Sequence, residues 1–287
     1  MKNKKTIMAF GAHHDDIELD YGGTLVNYIK KGWNVIYTIA TTTPYYMHSE
    51  QDIREGRYPS NKEIIDIRKR EAEEGAKILG ISDISFFDFK SLYWYEDKSI
   101  NLTHFDGIKN TCEDLARIEK EIPGREYIVS ALFSKDATDF LSDFILSKKV
   151  DIILTHSADD EHWEHYAVAG LAASVCRQLV AKGKDIKLFN GPPSLGGSIN
   201  RSFAPTRFVD ITDSIDIKCK AVSAFKSQYP DRDTSEFVEH ILKLGKIYGQ
   251  LSGFEYAEAF MDGLITYKKE FSPPMTYDAS KALIGFD

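Results

Sequence analysis

Two short segments carry many side chains that bind metals or transfer protons. Ala12-His13-His14-Asp15-Asp16 follows one apolar run, and THSADDEHWEH, residues 155–165, follows another; together they contain five of the eight histidines. Zinc in hydrolytic enzymes takes three protein ligands from His, Asp or Glu and keeps one position for water, whose pKa falls toward ~7. His13 and Asp16, with one histidine of the second segment, would supply such a ligand set.

The same two segments could also supply acid–base chemistry. Asp15 is placed to take a proton from water and to return it to a leaving amine. His162 lies three residues before His165, so the two would share one side of a helix, where His162 could stabilise a tetrahedral oxyanion. This combination favours amide hydrolysis. Either segment alone could instead be a solvated loop that caps the next helix, but two such loops make that interpretation weaker.

Other histidines and glycines have simpler interpretations. Nothing in the spacing requires His14 as a ligand, and it is interpreted as a structural or solvent-facing residue. Three further histidines are isolated and are interpreted as surface or core residues: His48, His104 and His240. The pair Gly22-Gly23 has no GxGxxG or GKS/T continuation, so it predicts the start of a helix packed close to a sheet, not a phosphate cradle.

Apolar, β-branched runs alternate with longer amphipathic segments, which predicts parallel strands covered by helices. The predicted strands span residues 5–10, 34–41, 84–88 and 150–155, and the predicted helices span 22–31, 61–80 and 139–147. The fold class is therefore α/β, with a Rossmann-like, open and mostly parallel sheet flanked by helices. In such sheets ligands bind beyond the carboxyl ends of the strands, where both polar segments fall.

We expect a single domain over residues 1–287. GPPSLGGS, residues 191–198, breaks the alternating pattern, and a smaller C-terminal elaboration of the same domain is expected from about residue 190. It would contain a strand over 207–211 and helices near 213–228 and 235–252.

Composition limits the classes of function. The chain is 43% apolar and 28% charged, without an apolar run near the ~18 residues of a membrane span and without a visible export signal. Three well-separated cysteines, Cys112, Cys176 and Cys219, fit a reducing compartment, so a cytoplasmic location is expected. The net charge of −8 and the lack of a basic block argue against nucleic acid and favour a small-molecule substrate.

The sequence resembles the LmbE-like, or PIG-L, family of zinc-dependent N-deacetylases. AHHDDIELDYGGTL, residues 12–25, is similar to the family signature AHPDD followed by a glutamate and a glycine pair. Residues 160–165, DEHWEH, resemble the family segment D-x-H-x-D-H. Further similarities are IRKRE (67–71) before a helix ending in LG, FVDIT (208–212) leading to FKSQ (225–228), and GFEYAEAF (253–260).

The resemblance implies roles for particular residues. His13, Asp16 and His165 would bind one zinc ion per chain, with other divalent metals able to substitute. Asp15 would be the general base, and His162 would contact the oxyanion or the leaving group. A homo-oligomer is also plausible for this family.

Arg68 falls where the family has a substrate-binding arginine. Its planar fork of donors suits sugar hydroxyl groups. A surface ion pair with Glu71, three residues later on a helix, is an equally good interpretation.

The chain departs from the family pattern at three places. His14 replaces a proline, Trp163-Glu164 replaces Pro-Asp, and a long insert, residues 41–60, stands where the family has a glycine-rich segment. Long loops of this kind are often functional lids. The insert, together with a second aromatic stretch over 92–95, adds candidate substrate-binding residues: Tyr45, Tyr46, Arg54 and Trp94.

The hypothesis is a zinc-dependent hydrolase that removes the N-acetyl group from an N-acetylated amino sugar, such as an N-acetylglucosamine derivative, or from its glycoside. One alternative is a family amidase that cleaves a bulkier N-acyl group or a thiol-conjugate amide. An alternative of another class is a non-catalytic module that binds a sugar or nucleotide without metal.

Overall fold

The computed structural model describes residues 4–96, 99–102, 124–193, 203–228, 235–264 and 283–284. Short, mostly apolar runs form its central strands. In chain order the strands are β1 (Thr6–Gly11), β2 (Asn34–Thr42), β3 (Asp83–Lys90), β4 (Tyr93–Glu96), β5 (Ser99–Leu102), β6 (Ile152–Thr155), β7 (Lys187–Asn190), β8 (Arg207–Asp210), β9 (Ala257–Asp262) and β10 (Leu283–Ile284). The strands predicted before residue 160 correspond to β1, β2, β3 and β6.

Eight of these strands form one sheet in the order β10-β8-β9-β7-β6-β1-β2-β3. Within this order, the five neighbouring strands β7, β6, β1, β2 and β3 are parallel. Strand β9 is antiparallel to both β7 and β8. β4 and β5 form a separate antiparallel pair. Every residue of β1 is buried, as expected for a central parallel strand covered on both faces. The predicted open, mostly parallel α/β sheet is confirmed.

Helices form the outer layers. In chain order they are α1 (Asp16–Lys30), α2 (Glu50–Glu55), α3 (Asn61–Leu79), α4 (Ile128–Ala131), α5 (Lys135–Lys148), α6 (Trp163–Ala181), α7 (Ile215–Val222) and α8 (Ser235–Ser252). The sequence sets the ends of α3: Ser60 and Glu63 form a capping box, and Gly80, with φ of 84°, ends the helix. The prediction of a helix over 61–80 is therefore confirmed.

Successive residues of β1 face opposite layers, because side chains alternate along a strand. Ile7 and Ala9 pack in a core with residues of α1, α3, α7 and α8. Met8 and Phe10 pack in a second core with residues of α4, α5 and α6. The sheet is thus the middle layer of three.

Helix α1 begins at Asp16, so the prediction that it starts at Gly22 was wrong. Gly22 and Gly23 lie inside the helix, and a Cβ atom on Gly23 would lie 2.7 Å from Cγ2 of Ile211. That distance is too short for two carbon atoms. Gly23 therefore allows α1 to pack against the segment that follows β8. The polar residues that precede the glycine pair form the first turns of the helix.

The residues after about 190 continue the same sheet through β8, β9 and β10. The helix predicted near 213–228 is divided into α7 and a short 3-10 turn over Lys226–Gln228, and the helix predicted near 235–252 is α8. Most of the predicted break at 191–198 lies outside the described residues. Because the sheet is continuous, we propose that this part elaborates one domain. No helix in the described ranges is long and apolar enough to cross a membrane.

The sheet brings the two polar segments together at the carboxyl ends of its parallel strands. Phe10 of β1 pairs with Thr155 of β6, so the carboxyl ends of these neighbouring parallel strands lie side by side. The backbone N–H of Ala12 donates to Nε2 of His156 at 2.8 Å. On the other side, the hydroxyl of Thr41 in β2 donates to the carbonyl of Ala12 at 2.8 Å.

Candidate metal centre

Three buried side chains converge where the loop after β1 meets the start of α6. Nδ1 of His13 lies 3.0 Å from Nε2 of His165. Nε2 of His165 lies 3.4 Å from Oδ1 of Asp16, and Nδ1 of His13 lies 3.5 Å from Oδ2 of Asp16. Donors at zinc bond lengths on a tetrahedron are roughly 3.3 Å apart. The two contacts to Asp16 are made by different oxygens of its carboxylate, so the three residues together could supply donors to one metal ion.

Two buried carboxylates orient the histidines. Oε2 of Glu164 lies 2.5 Å from Nε2 of His13, and Oδ2 of Asp160 lies 3.1 Å from Nδ1 of His165. Each carboxylate engages the ring nitrogen that faces away from the cluster, which leaves Nδ1 of His13 and Nε2 of His165 directed toward it. Metal-binding histidines typically have such outer carboxylate partners.

The charges around the cluster favour a cation. Burial disfavours a charged His13, but Asp16 and Glu164 outweigh burial and raise the pKa of His13 to about 9. Burial opposes charge on His165 as well, yet Asp16 and Asp160 raise its pKa well above the ordinary value. A metal ion bound to the deprotonated nitrogens would supply the same positive charge. The donor set and its electrostatics therefore both fit a divalent metal.

His156, to which the sequence assigned no role, lies directly behind the cluster. Its ring stacks on His165 at 3.9 Å between centroids, and Nε2 lies 3.1 Å from Oδ2 of Asp16. Asp16, His156 and His165 are thus a second potential ligand group. However, the lone pair of Nε2 already accepts the N–H of Ala12, so this nitrogen is occupied and His156 is less suited to bind the metal. Its position immediately after β6 was the available sequence signal.

His162 joins the cluster as the residue that caps α6. It groups with His13 and His165 as a potential ligand set, and its ring stacks on His165 at 4.4 Å. Nδ1 accepts the backbone N–H of Glu164 at 3.3 Å. Burial, with His13 and His165 nearby, lowers the pKa of His162 to about 2. The ring is therefore neutral and carries its proton on Nε2, which can donate a hydrogen bond.

Asp15 directly precedes Asp16 in the chain, and its side chain is held by Arg68. Nη2 of Arg68 donates to Oδ1 of Asp15 at 2.9 Å, and the Arg68 side chain is only 2% exposed. Glu71 instead accepts two hydrogen bonds from Ser227. The interpretation of Arg68 as a surface ion pair with Glu71 was therefore wrong, because the guanidinium is buried and pairs with a different carboxylate.

His14 is fully buried, and neither ring nitrogen has a hydrogen-bond partner among the described residues. Its ring lies 5.8 Å from that of Phe86. Burial, with Arg68 nearby, holds the pKa of His14 well below its usual value. It is thus a neutral core residue and does not line an open pocket, in agreement with its interpretation as structural.

The remaining predicted substrate-binding residues lie in different places. The ring of Tyr45 meets Tyr93 edge-on at 6.2 Å, and Tyr93 in turn lies 5.5 Å from His162. The hydroxyl of Tyr46 donates to Asp52 at 3.2 Å. Ring contacts through Tyr93 thus connect Tyr45 to the cluster.

Arg54 and Trp94 are not brought to the cluster by any described contact. Arg54 forms an exposed pair with Glu50, one turn earlier on α2. Trp94 belongs to β4, but its side chain lies outside the described residues. Their assignment to the substrate stays a prediction.

Replacing Glu164 by Gln is expected to weaken zinc binding by about 10- to 100-fold, because the amide orients His13 less strongly than the carboxylate does. A competition titration with a metal chelator measures this. Glu161→Gln is the control, since Glu161 is exposed in the same loop, and its zinc affinity should equal that of the wild type. An unchanged affinity in E164Q would mean that Glu164 does not support the metal site.

Comparisons with known proteins identify the family of this chain. The family model for PIG-L, described as GlcNAc-PI de-N-acetylase, matches residues 8–176, a range that includes both polar segments. Diacetylchitobiose deacetylase from Thermococcus kodakarensis is 24% identical over 268 residues, which cover 92% of this chain and 85% of that protein.

Solved structures share the fold. N,N′-diacetylchitobiose deacetylase from Pyrococcus horikoshii aligns with a TM-score of 0.63 and 20% identity, covering 91% of this chain and 85% of its own. GalB, the 4-carboxy-2-hydroxymuconate hydratase from Pseudomonas putida KT2440, aligns with a TM-score of 0.61 and 18% identity, covering 93% of this chain and all of its own. Since a hydratase and a deacetylase share this fold, the reaction must be argued from the site.

Proposed function

The chain belongs to the PIG-L family, and from this premise we propose that it is a zinc-dependent hydrolase that removes the N-acetyl group from an N-acetylated amino sugar or its glycoside. The observation that carries the proposal is the convergence of His13, Asp16 and His165, whose potential donor atoms contact one another at 3.0 to 3.5 Å. Asp15, the residue before Asp16, lies outside this ligand trio and would be available to move protons while Arg68 holds one of its oxygens.

In the proposed reaction, Asp15 and His162 would act beside the bound zinc ion. A bound zinc ion would polarise the amide carbonyl and lower the pKa of water toward ~7. Asp15 would take the proton from the attacking water and later give it to the departing amine. His162, neutral and with its proton on Nε2, would donate a hydrogen bond to the oxygen that becomes negative in the transition state.

The aromatic residues beside His162 support a sugar as substrate. Tyr45 and Tyr93 are both half-buried and form a continuous set of rings that ends at His162. Rings of this kind present an apolar face with a polar edge, which suits the apolar face and hydroxyl rim of a pyranose. This set would contact the sugar while the acetyl group faces the metal ligands.

Replacing His162 by Ala is expected to lower kcat by about 100- to 1000-fold with little change in KM, because the hydrogen bond is needed mainly in the transition state. His162→Gln retains an N–H donor and should keep more of the activity. Steady-state kinetics on an N-acetylated amino sugar measures both variants. A higher KM with unchanged kcat in H162A would instead assign His162 to substrate binding.

A panel of substrates tests the proposed reaction. Zinc-reconstituted protein is assayed with N-acetylglucosamine, N,N′-diacetylchitobiose, glucosamines with longer N-acyl chains and a thiol-conjugate amide. Acetate release from an N-acetylated sugar is expected. Cleavage of only the bulkier amides would favour the amidase alternative, and sugar binding without metal or hydrolysis would favour the binding module.

A further inference from the structure

We infer that Gln228 is a positioning residue that fixes the proposed general base Asp15 through Arg68. The inference rests on the proposed function, because it assigns a purpose to the orientation of Asp15. It also gives a role to two sequence motifs that the proposed chemistry does not use, residues 67–71 on α3 and 225–228 before and within the 3-10 turn.

The guanidinium of Arg68 is held between three acceptors. Nη2 donates to Oδ1 of Asp15 at 2.9 Å, Nη1 donates to Oε1 of Gln228 at 3.1 Å, and Nη1 also lies 3.4 Å from the carbonyl oxygen of Tyr45. A guanidinium is planar and rigid, so contacts on one nitrogen fix the direction of the other. Gln228 and Tyr45 thereby aim Nη2 at Asp15.

Gln228 is itself fixed from the opposite side. Its Nε2 donates to the carbonyl of Tyr45 and to Oγ of Ser227, both at 3.0 Å. The backbone N–H and hydroxyl of Ser227 donate to the two carboxylate oxygens of Glu71 at 2.7 and 2.6 Å. Arg68 and Glu71 are neighbours on one face of α3, so two adjacent side-chain contacts join this helix to the turn.

Asp15 needs such a partner. It precedes α1 as the capping residue, but its side chain makes no capping hydrogen bond to that helix. Its carboxylate is therefore not oriented by its own backbone, and the buried cation of Arg68 supplies the contact. The amide of Gln228 keeps Arg68 in place without adding a second negative charge that would compete with Asp15.

The test replaces Gln228 by Met, which keeps the length of the side chain and removes its three hydrogen bonds, to Arg68, Tyr45 and Ser227. We expect kcat to fall by about 10- to 100-fold, as for a small misplacement of a catalytic group, with KM within about twofold of wild type and zinc content unchanged. Gln250→Met is the control, because Gln250 is exposed on α8, and it should behave as wild type. Gln228→Glu retains the acceptor for Arg68 but adds the competing charge, so its kcat should lie between the values of Q228M and wild type.

A structural readout keeps the inference separate from the proposed reaction. Crystal structures of zinc-loaded wild type and Q228M should show a single orientation of the Asp15 carboxylate in the first and several orientations, or a displaced one, in the second. Failure of wild type to hydrolyse any N-acetylated sugar would overturn the proposed function and leave this comparison intact. An unchanged Asp15 and unchanged kcat in Q228M, or a raised KM alone, would overturn the positioning role.

If Q228M does not fold, Arg68→Lys, which keeps the charge but loses the planar fork of donors, is expected to give the same fall in kcat and the same loss of a single Asp15 orientation.

Discussion

The variant Asp15→Ala is expected to retain one bound zinc ion per chain and to lose about 10²- to 10⁴-fold in kcat on an N-acetylated amino sugar. The proposed metal ligands are His13, Asp16 and His165, whose donor atoms are 3.0 to 3.5 Å apart, and Asp15 is not needed among them. Its removal takes away the group that would move the proton between water and the leaving amine. Elemental analysis and steady-state kinetics measure the two effects separately.

Two further variants make this prediction specific. Asp15→Asn keeps an oxygen acceptor for Arg68 but cannot serve as a base, so it should be nearly as inactive as D15A. Asp213→Ala removes an exposed aspartate and should keep wild-type kcat. Wild-type turnover in D15A with stoichiometric zinc would contradict the assignment of Asp15 as the base.

The second large effect is expected for His165→Ala, which should lose both the metal and the activity. The substitution removes one of three proposed ligands and the contacts that Asp16 and Asp160 make to His165, so zinc affinity should fall by more than the ~10- to 100-fold of an outer-partner variant. Without metal, hydrolysis should fall below detection. Metal content after dialysis, with thermal unfolding as a check on folding, measures the outcome.

His14→Leu is the matched control for H165A. His14 is equally buried, but its ring nitrogens have no hydrogen-bond partner among the described residues, so an apolar replacement removes no contact of the metal site. It should therefore keep zinc and turnover. Tight stoichiometric zinc in H165A, or loss of zinc in H14L, would mean that the ligand set is assigned incorrectly.

Much of the fold could be predicted because the central strands β1, β2 and β6 are short, mostly apolar and largely buried runs. Six buried residues in β1 can only be a strand covered on both faces, and the parallel arrangement then places the segments after β1 and β6 at the same edge. The start of α1 could not be predicted in the same way. Gly22 and Gly23 suggested a helix start, whereas the role of Gly23 depends on contact with Ile211, about 190 residues away along the chain.

The proposed ligands could be identified from the sequence, but their supporting residues could not. Residue types and spacing pointed to His13 and Asp16, and the family resemblance to His165. In contrast, the partners of each ring, Glu164 for His13 and Asp160 for His165, depend on which nitrogen faces the cluster. The orientation of each ring is set by tertiary packing and leaves no periodic pattern in the sequence.

Arg68 illustrates the same limit. A basic residue three positions before Glu71 on a helix is typical of a surface ion pair, and local spacing alone supports that interpretation. Its burial arises from the turn that carries Gln228, 160 residues further along the chain. The site therefore has to be described from contacts between distant segments.

The most direct test of the central claim is acetate release from N,N′-diacetylchitobiose by metal-free and zinc-reconstituted protein. The account predicts no release from protein stripped with a chelator and full recovery on addition of one equivalent of zinc, with zinc content of one per chain. Full activity in the stripped protein would contradict it. So would a protein with one bound zinc that releases no acetate from any N-acetylated amino sugar.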